Sequence, residues 1–90
     1  MINTKNEYRP DYIVSPGDVL EEVLEERNIK KNDFAKRCGR TGKTISQIIS
    51  GRAPITPELA ICFHRILGSS VASWNNLEAN YRLQLAKQNE

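Results

Sequence analysis

Apolar residues along this chain recur three and four positions apart, in short runs separated by glycines and by Ser-Pro or Thr-Pro pairs. That period marks helices with one buried face. The first run sets Val19, Leu20, Val23 and Leu24 against Glu21, Glu22, Glu25 and Glu26. Ser15 offers an N-cap oxygen, Pro16 suits the first helical position, and Asp18 stands where a capping box places its acid, so a helix is expected to start there and end near Asn28. A short second helix over roughly Lys31 to Cys38 turns Phe34, Ala35 and Cys38 inward. Gly39 supplies the turn, Thr41 is a good N-cap, and a third helix from Gly42 to about Ser50 points Ile45, Ile48 and Ile49 inward before Gly51 closes it. After a loop over Arg52 to Ile55, Thr56-Pro57-Glu58 repeats the grammar of a helix start. Leu59, Ala60, Phe63, Ile66 and Leu67 line the fourth helix, which Gly68 stops. Ser69 or Ser70 caps a fifth, carrying Val71, Trp74, Leu77, Tyr81 and Leu85. No strand pattern, internal repeat or low-complexity tract competes, and the expected fold is an all-α bundle of five helices with short links.

Within it, Ile29 to Gly51 has the spacing of a helix-turn-helix at helices 2 and 3. Ala35 sits where the two helices cross closely, Gly39 at the turn, and Ile45 faces the core. That device pushes one helix into a DNA groove. The 90 residues make one small domain, read as an arm over residues 1–14, a domain over 15–87 and a tail over 88–90. The net charge of +2 hides an asymmetry: residues 1–26 carry two basic and seven acidic side chains (−5), residues 27–52 eight basic and one acidic (+7), and residues 53–90 three of each. A basic block over the helix-turn-helix is the footprint of a nucleic-acid surface. A merely solvated charged face is the competing reading.

With the isoleucines inward, the outward face of the third helix holds Lys43, Thr44, Gln47 and Ser50. Thr41, Lys43, Thr44, Ser46 and Gln47 are the candidates for base or groove contacts: Lys43 suits a guanine edge or a phosphate, Gln47 an adenine. Gly42 at the helix N-terminus, Lys31 at the start of the second helix and Arg52 past the third are candidates for phosphate contacts, which position a protein without reading sequence. The alternative is that these polar side chains simply face solvent. Gly42-Lys43-Thr44 does not make a phosphate-binding P-loop, because Arg37 stands where that pattern needs a glycine and the segment before it is helical.

Catalytic chemistry is not expected. His64 is the single histidine, with Ala60, Ile61, Leu67 and Gly68 three and four positions away. Cys38 and Cys62 are spaced for neither zinc nor a disulfide framework and read as small buried hydrophobes, and the glutamates of the first helix read as a solvated face. No metal and no cofactor are expected. No apolar signal core or stretch near the roughly 18 apolar residues of a membrane span appears, so the expected setting is a reducing cytoplasm, without membrane attachment.

The fifth helix allows two readings. Trp74, Leu77, Tyr81 and Leu85 continue one apolar stripe beyond what a small core needs, which suits the seam of a homodimer. Alternatively Trp74 and Leu77 cap the core while Tyr81 and Leu85 fray.

With these residues in hand, the chain resembles the XRE (lambda-repressor-like) helix-turn-helix family, and within it the HigA antitoxin branch. The resemblance covers about residues 12–87. It rests on Ser15-Pro16-Gly17-Asp18-Val19-Leu20, Asp33-Phe34-Ala35-Lys36-Arg37-Cys38-Gly39, Ile45-Ser46-Gln47-Ile48-Ile49-Ser50-Gly51, Ile55-Thr56-Pro57-Glu58-Leu59-Ala60 and Trp74-Asn75-Asn76-Leu77-Glu78-Ala79-Asn80-Tyr81. It implies a dimer that binds operator DNA, represses its own operon and, in toxin–antitoxin pairs, neutralises a ribonuclease toxin. Two positions depart from the family pattern: Lys31 replaces a usual Gln and Arg40 a usual apolar residue, which alters the expected phosphate contact and the packing beneath the turn. The lead-in Tyr8-Arg9-Pro10-Asp11-Tyr12 and the segment from Leu77 to Tyr81 also look like longer regulators in which this domain precedes a zinc-peptidase-like one. Such a truncated relative, or a protein-interaction module using the fold as scaffold, are the alternatives to a stand-alone repressor.

Overall fold

Four of the five helices start on a hydroxyl that accepts a backbone N–H otherwise left without a helical partner. Ser15 accepts from Gly17 at the head of α1 (Pro16–Glu26), Thr41 from Thr44 at α3 (Gly42–Ile49), Thr56 from Leu59 at α4 (Pro57–Leu67) and Ser70 from Ser73 at α5 (Val71–Gln88). The fifth, α2 (Lys31–Arg37), starts at Lys30 with no side-chain cap. The computed structural model describes residues 13–89. The arm over 1–14 therefore lies outside the described residues except for Ile13 and Val14, as does residue 90 of the tail. Helix α5 runs to Gln88, one residue into that tail.

Helix α3 docks on α2 and α1, and α5 on α4 and α1. Between them Leu20, Leu24, Phe34, Ala35, Ile45, Ile48, Ile55, Leu59, Ala60, Phe63, Leu67 and Trp74 form one buried core. Phe34, Phe63 and Trp74 run through its centre, with ring centroids 5.3 Å and then 5.1 Å apart, the second pair edge-to-face. Such pairs add roughly 0.5 to 1.5 kcal/mol beyond the area they bury.

At the turn between α2 and α3, Gly39 takes φ +67°, with Arg40 N–H bonding back to the Ala35 carbonyl at 2.8 Å. A second glycine answers a different constraint, which the apolar periodicity does not express. Gly17 lies against the end of α3, where an added Cβ would press into the carbonyl of Ile48 and come within 2.5 Å of the Ile49 oxygen. Only a residue without a side chain lets α1 begin there.

The stripe on α5 divides. Trp74 is 2 % exposed and packs on Phe63, so it belongs to the monomer's own core and presents nothing to a second chain. Spacing alone could not distinguish the two destinations, since a helix with one apolar face has the same period whichever surface covers it. Leu77 packs partly against the core, while Tyr81 and Leu85 are half-buried. Leu83, 52 % exposed, lies outside the expected stripe.

Because the obstacle at Gly17 is backbone, Gly17→Ala should destabilise the fold by about 2 to 4 kcal/mol, whereas Gly39→Ala, with open space around the new Cβ, should cost about 1 to 2 kcal/mol from its left-handed φ. Urea denaturation of the two variants measures this ordering.

Candidate nucleic-acid interface

Ile45 and Ile48 are buried under α3, which turns the opposite face of that helix outward. There Lys43, Ser46, Gln47, Ser50 and Arg52 line an open concavity of about 340 Å³. Lys43, Ser46, Ser50 and Arg52 are exposed and Gln47 is half-exposed. The structure thus brings Lys43, Ser46, Gln47 and Arg52 together, and adds Ser50, whose hydroxyl donates to the Gln47 carbonyl at 3.1 Å.

That carbonyl also accepts the N–H groups of Arg52 at 2.8 Å and Ala53 at 3.1 Å. The loop after α3 is therefore folded back on the last turn of the helix, and Arg52 is set beside the exposed face rather than trailing from it.

At the other end of α3, Thr41 Oγ1 accepts the Thr44 N–H at 3.2 Å and lies 3.1 Å from Thr44 Oγ1. The two threonines form a closed pair at the helix start. The N–H groups of Gly42 and Lys43 lie in the first turn, where the helix offers them no carbonyl and its dipole favours an anion. Asn32 of α2 stands beside Gly42, close enough that a Cβ there would collide with its side-chain oxygen. No motif marked Asn32; its place follows from how α2 crosses the head of α3. Lys31 pairs with α1, its ammonium 3.8 Å from Glu21. Both side chains are partly exposed, so this pair is weak.

No other chemistry gathers at this surface. Burial, reinforced by the nearby Cys62 and opposed by Arg40, pushes the Cys38 thiol up to about 11, which keeps it protonated at neutral pH. Among the described residues no three His, Cys, Asp or Glu side chains are grouped to hold a metal. No helix among them is long and apolar enough to cross a membrane.

The Helix-turn-helix family matches residues 20–74, which include α2, the turn, α3 and α4. The chain belongs to the helix-turn-helix family. Its fold is the five-helix lambda-repressor-like one, and its likeness within the family is to the HigA antitoxin branch. YddM of Escherichia coli K12, an uncharacterized HTH-type transcriptional regulator, is 36 % identical over 72 residues, covering 80 % of this helix-turn-helix chain and 77 % of YddM. The Pseudomonas aeruginosa antitoxin HigA, solved with the higBA promoter, superposes with a TM-score of 0.82 at 26 % identity, over 87 % of this chain and 86 % of that one. PA4674 of the same organism, solved with its 18-base-pair operator DNA, superposes at 0.80 with 27 % identity, over 93 % and 88 %. As a family member the chain is a DNA-binding regulator.

Proposed function

We propose that this protein is a sequence-specific repressor that binds its own operator as a homodimer in the cytoplasm, and that it is the antitoxin partner of a ribonuclease toxin. One observation carries the DNA half: Lys43, Ser46 and Gln47 on the outward face of α3 line one open concavity with Arg52 of the loop that follows. An α-helix fits the major groove, where Lys43 meets a guanine edge, Gln47 pairs with adenine, and Thr41, Thr44 and Ser46 supply short hydrogen bonds. Arg52, the amide of Gly42 and, more weakly, Lys31 meet phosphates on either side. The promoter and operator DNA in the solved relatives support this docking, and the likeness to HigA supports the antitoxin role.

The dimer follows from how such domains read DNA. Two half-sites lie about one helical turn apart, roughly 34 to 36 Å, and a two-fold pair of recognition helices is needed to meet both. With Trp74 committed to the core, Leu77, Tyr81 and Leu85 of α5 are left to line the seam.

Fluorescence anisotropy with duplex from the protein's own promoter tests the DNA reading. Affinity should exceed that for random duplex and fall steeply with salt as counterions are released. Lys43→Ala and Gln47→Ala should each cost about 1 to 3 kcal/mol on the promoter with little change in stability. Equal affinity for promoter and random duplex contradicts the proposal. For the seam, Leu77→Asp combined with Leu85→Asp buries unpaired charge and should give helical monomers with much weaker promoter binding, read by light scattering and circular dichroism. A variant that stays dimeric with wild-type affinity moves the seam elsewhere, and loss of helicity together with the dimer returns the stripe to the monomer core.

A further inference from the structure

Glu78 sits on α5, outside the concavity, yet it is wired to the loop that completes it. Its side chain is only 15 % exposed. Oε1 accepts the Ile55 N–H at 3.0 Å, across 23 residues of chain. Oε2 pairs with Arg82 one turn further along α5, and that guanidinium stands 5.1 Å above the Tyr81 ring. The Tyr81 hydroxyl in turn lies against Gly51, 3.3 Å from where a Cβ would be.

Helix α5 therefore holds the loop at Ile55 through Glu78, with the Tyr81 hydroxyl near Gly51 at the other end. Arg52 lies between Gly51 and Ile55. Its own N–H is held by the Gln47 carbonyl, so the loop hangs between the last turn of α3 and a carboxylate on α5. A bond from an amide to a carboxylate is among the stronger ones available to a backbone, and breaking it leaves a largely buried N–H without a partner.

We infer that Glu78 is a positioning residue for DNA binding: by holding the Ile55 N–H it fixes the loop that sets Arg52 beside the exposed face of α3. The inference rests on the proposed reading of Arg52 as a phosphate contact. It also gives α5 a part in DNA recognition separate from dimerisation.

The test exploits two conservative changes that split reach from charge. Glu78→Gln keeps the length and an acceptor oxygen, whereas Glu78→Asp keeps the charge but is one methylene too short for Ile55. Promoter anisotropy across a salt series on the full chain should find Glu78→Gln close to wild type. Glu78→Asp should lose up to two phosphates' share of counterion release, one for each protomer of the proposed dimer, about sixtyfold at about 0.1 M salt, with a salt slope shallower by up to about 1.8. Arg52→Ala should match it, and the double variant should be no weaker than Arg52→Ala alone.

If Arg52→Ala weakens binding while Glu78→Asp keeps wild-type affinity and slope, the inference falls and the phosphate reading of Arg52 stands. If Arg52→Ala has no effect, both fall. Additive losses in the double variant, or loss of affinity in Glu78→Gln equal to that in Glu78→Asp, also overturn the inference. A measurement on the wild-type chain guards against an unfolded variant: by reciprocity, DNA should slow hydrogen exchange at the Ile55 amide. Unchanged exchange there contradicts the proposal.

Discussion

Ile45 and Ile48 stand three positions apart on α3, 0 % and 2 % exposed, and their burial fixes the rotation of that helix about its own axis. Turning α3 by a quarter would expose at least one of these side chains, at about 1.5 to 3 kcal/mol each. With the rotation set, Lys43, Ser46, Gln47 and Ser50 have one direction left to face. The outward face of α3 is in this sense a by-product of packing: what it presents is decided by what is buried beneath.

Two further constraints hold α3 at its height and seat its following loop. Gly17 lets the start of α1 come against the carbonyls that end α3, so the helix is backed by main chain rather than by side chains that could rearrange. Close beside Gly17, Glu78 of α5 holds the Ile55 end of the loop that follows α3. Helix α3 is thus backed directly by α1, and the loop that follows it by α5.

The helices were legible because their signals are local. Ser15, Thr41, Thr56 and Ser70 cap within three residues of themselves, and the inward isoleucines repeat within two turns. What was not legible depends on contacts between distant parts of the chain. No local pattern singles out Gly17 or Glu78, whose partner Ile55 is 23 residues away. Trp74 suits a seam or the core equally by spacing, and its burial against Phe63 selects the core. Among the candidate interface residues, Lys43 and Gln47 follow from helical period, whereas Arg52 and Asn32 are placed by loop and crossing geometry that no period encodes.

In the proposed complex the protein meets DNA with the outward face of α3 and the loop behind it. Chemical-shift mapping of the isotope-labelled chain titrated with its promoter duplex tests this most directly. The account predicts that the largest changes fall on Thr41 to Gln47 and on Ser50 to Arg52, with the acidic face of α1 around Glu25 and Glu26 left unperturbed. Changes concentrated on α1 or on the far side of α4, or none at promoter excess, would contradict it.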